Sequence, residues 1–243
     1  MTTPTKESLL EFYNTMPGDI DEQAYNSDIL VQRYFQRRKT DTIKETLQIG
    51  NADIVIDIGC GSGVQLKEVG EKGYSLAIGM DINQNVLKYA RNRSLPNTEY
   101  IRADAQYLPI KTASVDKIIC AEIIEHLISP QNLVNEIIRV LKKDGSVVIT
   151  TPNRRSIWKI YEFFWDKFGK GRDYGTTHLY FYSESSLKSC FKDFSACVTR
   201  TIFFISPLFA LSNNQKILDI GKRVDRIFER YGWGVSIVSY AKK

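Results

Sequence analysis

The chain has 243 residues, of which 43% are hydrophobic, 12% aromatic and 25% charged. That composition supplies a full globular core and excludes disorder for most of the length. The net charge of +5 is confined to one end: residues 1–50 carry 6 Lys/Arg against 8 Asp/Glu, residues 51–150 carry 11 against 12, and residues 151–243 carry 16 against 8. A basic, aromatic-rich C-terminal part attracts an anionic substrate, a nucleic acid or a membrane surface, or is a solvated basic face. The longest apolar stretch, Thr201 to Leu211, is too short to span a bilayer and is broken by Ser206 and Pro207. The N-terminus has no apolar run of the secretory kind. Cys60, Cys120, Cys190 and Cys197 show no zinc spacing. Together these predict a cytoplasmic protein with reduced thiols and no transmembrane segment.

The first fifty residues read as helix with a break at Pro17-Gly18, Ser27 capping the second stretch. Short β-branched runs follow at 53–58, 75–80, 99–103, 115–121 and 146–150, most of them separated by helical segments. Near-continuous apolar runs alternating with helices predict a doubly wound, mostly parallel sheet covered on both faces. Residues 154–168 read as an aromatic helix inserted after the fifth strand, followed by a Gly-rich turn. Ser183 caps a short helix, 196–205 reads as a strand, 215–231 as a helix and 234–241 as a closing strand. The predicted organisation is an N-terminal helical cap over 1–45 and one α/β domain over 46–243, with an insertion at 152–180.

The most informative stretch is Val55-Ile-Asp-Ile-Gly-Cys-Gly-Ser-Gly63, a strand running into glycines at alternate positions. Such a loop lets a ligand lie against the backbone. A dinucleotide loop would read GxGxxG and receive a pyrophosphate. Here the spacing is GxGxG, position 64 is Val, and Asp57 would repel a diphosphate while suiting an ammonium group. That opposes a nicotinamide-dependent dehydrogenase. Asp81 ends the second strand 24 residues after Asp57 and can accept the two hydroxyls of a ribose, and Asp104 ends the third strand 23 residues further on and can accept from an adenine amino group. An amine, a ribose diol and an adenine without phosphate describe S-adenosylmethionine.

With these motifs, residues 45–200 resemble the class I S-adenosylmethionine-dependent methyltransferases, and most closely the quinone-biosynthesis type that acts on small molecules. Asp104-Ala-Gln-Tyr-Leu-Pro109, Ser114–Ile119, Glu122-Ile-Ile-Glu-His-Leu127, Leu141–Ser146 and Thr151-Pro-Asn153 belong to that likeness. It implies a Rossmann-like fold whose sheet ends in an antiparallel strand. The cofactor set is then Asp57, Gly59, Cys60, Gly61, Gly63, Asp81, Ile82, Asp104, Ala105 and Glu122. Lys142-Lys-Asp-Gly145, where the family often carries a proline, and the aromatic insertion depart from the pattern.

Methyl transfer from a sulfonium needs an aligned nucleophile, and a base only if the acceptor is protonated. His126 and His178 are the only histidines, and His126, following the fourth strand, is the expected base or substrate orienter. If 122–126 form one helical turn, Glu122, Glu125 and His126 share a face. With His178 they resemble the metal set of small-RNA 2′-O-methyltransferases, although Glu-His-Leu also recurs in relatives that need no metal, and no metal is expected here. The acceptor expected is a small apolar or aromatic molecule, methylated on oxygen or carbon. The aromatic set Trp158, Tyr161, Phe164, Trp165, Tyr174, Tyr180 and Tyr182 lines its pocket, packs the core, stacks single-stranded bases beside Arg154, Arg155, Lys170 and Arg172, or meets a membrane surface. Metal-assisted methylation of RNA and a non-catalytic adenosyl-binding module are the alternatives.

Overall fold

A computed structural model describes residues 5–156, 178–203 and 213–243. Helices α1 (Lys6–Asn14), α2 (Ile20–Tyr25) and α3 (Leu30–Leu47) precede the sheet. The chain continues through β1 (Ile54–Ile58), α4 (Val64–Val69), β2 (Leu76–Asp81), α5 (Gln84–Arg91), β3 (Thr98–Arg102), β4 (Val115–Ala121), α6 (Pro130–Val140) and β5 (Leu141–Pro152). Further along the chain come α7 (Glu184–Ser189), β6 (Ala196–Ile202), α8 (Gln215–Phe228) and β7 (Ser236–Lys242).

The strands form one sheet in the order β3-β2-β1-β4-β5-β7-β6. β1 to β5 pair in parallel, and β7 runs antiparallel to both β5 and β6. Because side chains alternate across a strand, neighbouring residues feed opposite faces. Ile56, Ile118, Cys120, Val147 and Ile149 meet α6, α7 and the turn after α7 through Leu133, Ile137, Leu187 and Phe191. Val55, Ile119 and Val148 meet α3, α4 and α5 through Ile43, Leu47, Leu66 and Leu87. Each fully buried leucine or isoleucine of this kind contributes about 1.5–3 kcal/mol, so the two layers fix all the strand ends at one edge.

The predicted sheet and its antiparallel strand are present, with local differences. Ser27 does not cap α3: its N-cap is Ile29, Ser27 Oγ accepts the Ile29 N–H, and the first helical N–H, that of Leu30, is received by Asn213 Oδ1. A helix end closed by a residue 183 positions away leaves no local signal. β5 starts five residues earlier than predicted, at Leu141, and its pairing with β4 shifts between Val115 and Lys117. Ser183 does cap α7, in a reciprocal box with Ser186. The aromatic helix and most of the aromatic set (Trp158, Tyr161, Phe164, Trp165 and Tyr174) lie outside the described residues.

Candidate functional site

β1 ends in the glycine loop, and Gly59, Gly61 and Gly63 all have positive φ, at 71°, 51° and 78°. At Gly59 a Cβ would fall 2.1 Å from Ile123 Cδ1, so the segment after β4 lies directly on the loop. The Gly59 and Cys60 N–H groups donate to Met80 O, and Gly61 N–H donates to Asp81 Oδ2 at 3.0 Å. Asp81 Oδ1 accepts from Asn83 N–H at 2.8 Å. The Asp81 carboxylate thus joins the loops after β1 and β2. Burial raises its pKa, and the bonds from Asn83 and Gly61 oppose that rise.

Asp57 stands apart. It is 1% exposed and neither carboxylate oxygen has a hydrogen-bond partner. Burial, then the nearby Asp81 and Asp21, push its pKa up to about 8. A buried acid without a donor is costly and asks for a cation. Asp104 lies at the next strand end, where Oδ1 accepts Gln106 N–H at 2.9 Å, and Gln106 Oε1 accepts Ser129 N–H at the start of α6. Ile82 and Ala105 directly follow Asp81 and Asp104 at the same edge, both partly exposed. Cys60 is buried and its thiol pKa is raised by burial, in keeping with packing rather than nucleophilic use.

One residue at this edge escaped the sequence reading. Asp21 of α2 places Oδ2 2.9 Å from the Ser62 N–H, and a Cβ at Gly61 would sit 1.9 Å from the same oxygen. Neighbouring contacts fasten the cap beside it: Arg93 pairs with Glu22 and donates to Ser62 O, and Asn83 Nδ2 donates to Tyr13 O. Gly-Asp-Ile-Asp at 18–21 has no motif character, so nothing in the sequence marks it.

The segment after β4 departs from the predicted helical turn. Glu122 takes φ +57°, a strained value for a residue with a side chain, and only Ile124–His126 form a turn, of the 3₁₀ kind. Glu122 Oε1 accepts from Thr150 and Ser236 hydroxyls. Its carboxylate is therefore bonded toward β5 and β7, and the four-residue set of Glu122, Glu125, His126 and His178 is not assembled as one cluster. Three of the four do meet. Ligand atoms of Glu125, His126 and His178 all lie within 4.8 Å of one another. The two imidazoles are 4.8 Å apart, and Tyr13 of α1 meets His126 edge-on. Glu125 is buried. Its Oε2 accepts from Thr151, its Oε1 has no hydrogen-bond partner, and its carbonyl receives the N–H groups of Leu179 and Tyr180, which anchors His178. Burial, then Glu122, hold the Glu125 carboxyl well above the usual range. Of the predicted aromatic set, Tyr182 is buried in the core, and Tyr180, 42% exposed, donates to Ile128 O.

This sheet order, with a glycine loop and acids at three successive strand ends, defines the class I Rossmann-like methyltransferase fold. Residues 56–149 match the family model described as a methyltransferase domain. The chemistry of the residues would suit S-adenosylmethionine, since Asp57, buried with no hydrogen-bond donor, could face its ammonium group.

A malonyl-[acyl-carrier protein] O-methyltransferase of Marinomonas sp. is 33% identical over 129 residues, covering 52% of this chain and 48% of that protein. A ubiquinone/menaquinone biosynthesis C-methyltransferase of Campylobacter jejuni is 26% identical over 161 residues, covering 62% and 66%. The chain spans about half the length of the first curated relatives it matches. An S-adenosylmethionine-dependent methyltransferase structure from Thermotoga maritima superposes with a TM-score of 0.69 at 19% identity, covering 97% of this chain and 99% of that one.

Proposed function

We propose that this chain transfers a methyl group from S-adenosylmethionine to a small apolar or aromatic acceptor, on oxygen or carbon. The observation that carries the proposal is a single sheet edge on which Asp57, Asp81 and Asp104 stand beside the Glu125, His126 and His178 cluster. In this reading Asp57 faces the ammonium of the cofactor, Asp81 its ribose and Asp104 its adenine, while Gly59, Cys60, Gly61, Gly63, Ile82, Ala105 and Glu122 complete the contacts. The bound cofactor supplies an electrophilic methyl group. The protein aligns the acceptor and keeps water out. The N-terminal helices α1 to α3 cover the acceptor on one side, and most of the predicted insertion at 152–180 lies outside the described residues. His126 orients the acceptor and takes the proton of a hydroxyl acceptor. The names of the relatives include both an oxygen and a carbon methylation, and both stay within the proposal.

Calorimetry against S-adenosylhomocysteine and NAD tests the cofactor, and binding of NAD alone overturns the reading. A metabolite-extract screen with methyl-labelled cofactor tests turnover. Cofactor binding without transfer to any fraction assigns a non-catalytic adenosyl-binding module instead. A second reading rests on the Glu125, His126 and His178 cluster: metal-assisted methylation of an RNA hydroxyl. Loss of labelled transfer on chelation, restored by Mn²⁺ and found only with RNA, supports that reading over the first.

A further inference from the structure

Helix α8 has two unlike faces. Inward, Leu218 packs with Val31 and Phe203 beside Tyr34 and Phe35, and Gly221 and Asp225 are buried with it. Outward, Lys216, Ile220, Arg223, Ile227 and Arg230 recur at three- and four-residue steps, with Asp219 and Arg226 alongside. Ile220, Ile227, Tyr231 and Trp233 are 54%, 58%, 68% and 48% exposed. They make one ridge down the helix and onto the turn after it, where Trp233 stacks on Phe228 and lies 6.3 Å from Tyr231.

The charges beside the ridge have nearly one sign. Lys216, Arg223, Arg226 and Arg230 are exposed, and among the described residues none of them forms a salt bridge. The one exposed acid of the helix, Asp219, is taken by Lys222 and Gln215. The remaining acids turn inward: Asp225 is 1% exposed, and Glu229 pairs with Arg38 and accepts the Phe203 N–H. Inward packing does not account for a repeated exposed isoleucine between cations that form no salt bridge among the described residues. Among the described residues no helix is long and apolar enough to cross a membrane.

We propose that this face of α8, with Tyr231 and Trp233, docks on an anionic membrane surface. An apolar ridge settles at the level of the acyl boundary, flanking Lys and Arg meet lipid phosphates, and Tyr and Trp rings suit the headgroup zone. RNA or another soluble polyanion would satisfy the cations and leave the isoleucines without a role. The face is tied to the sheet edge of the candidate site: Asn153 Nδ2 donates to the Gly232 and Gly234 carbonyls, and Ser236 Oγ donates to Glu122. Docking therefore holds the end of β5 close to the lipid. The inference stands on the surface alone and does not depend on the identity of the acceptor.

The test is co-sedimentation of the full chain with vesicles of phosphatidylcholine alone and of phosphatidylcholine mixed equally with phosphatidylglycerol. Binding is expected only with the anionic vesicles, weakening as salt rises. Arg223→Glu with Arg226→Glu, and separately Ile220→Ser with Ile227→Ser, should each lower the partition coefficient at least about tenfold. Melting curves and S-adenosylhomocysteine binding confirm that the variants are folded, and Arg223→Gln with Arg226→Gln replaces the reversal if it unfolds. No sedimentation of the wild type with anionic vesicles overturns the proposal, as does binding that survives either pair of changes. Salt-sensitive capture of single-stranded RNA or polyglutamate, unaffected by the serine changes and without vesicle binding, overturns it in favour of a soluble polyanion.

Discussion

Along one edge of the sheet, the β1–β2–β3 end and the β4–β5 end handle their carboxylates in opposite ways. At the first, Asp81 and Asp104 are fixed by backbone N–H groups within two residues or in the adjoining loop. At the second, Glu122 and Glu125 bond to side-chain hydroxyls of β5 and β7, Glu122 sits at φ +57°, and the histidines are joined by a segment more than fifty residues further on. Backbone-held acids form a rigid cradle suited to one constant ligand. Acids held by side chains of several strands can be retuned without rebuilding the loop, which suits the side that meets a variable acceptor.

The largest expected effect breaks the second end. If the acceptor is a hydroxyl, His126→Ala should lower turnover about 10²–10⁴-fold while leaving S-adenosylhomocysteine affinity unchanged by calorimetry. Wild-type turnover in that variant would remove His126 from the mechanism and make His178 the next base to test. Breaking the first end should act on binding instead. Gly59→Val combines a positive φ with a Cβ 2.1 Å from Ile123, and the strain and overpacking should cost about 2–4 kcal/mol of stability and remove detectable cofactor binding. Asp81→Ala should weaken cofactor affinity by about 1–3 kcal/mol, with a turnover at saturating cofactor close to that of the wild type.

Asp57 sharpens the comparison through pH. Its folded pKa of about 8 lies above the unfolded value near 3.8, so the fold binds more protons across that window. Its contribution to stability is therefore fully present below about pH 4 and is lost as pH rises toward 8. A cofactor ammonium beside it favours the charged form, so binding should release a proton near neutrality and tighten as pH climbs to about 8. Calorimetry in buffers of different ionisation enthalpy measures that proton, and Asp57→Asn should abolish it.

The smallest effect belongs to the cap. Asp21 occupies the Ser62 N–H and faces Asp57 and Asp81. Its removal should relieve that repulsion and free the loop for the carboxylate of the ligand. Asp21→Ala is expected to tighten S-adenosylhomocysteine two- to fivefold, about 0.5–1 kcal/mol, with no change for 5′-methylthioadenosine, which lacks the amino-acid part. Weaker binding of both would instead make Asp21 a direct support of the adenosyl group.

The sequence by itself determined the parts built from local rules. Alternating apolar runs set the parallel strands, the Gly59–Gly63 spacing set the loop, and the regular intervals from Asp57 to Asp81 to Asp104 put acids at successive strand ends, because each βα unit returns the chain to the same edge. Ser183 likewise announced α7 through a bond three residues long. Tertiary structure alone decided the contacts between segments far apart in the chain: Asp21 on Ser62, Asn213 closing α3, Glu122 turned toward Thr150 and Ser236, and His178 brought to His126 through the Glu125 carbonyl. Those partners are chosen by which surfaces the two packed layers bring together, and a helical spacing rule cannot foresee them where the backbone leaves the helix, as it does at Glu122.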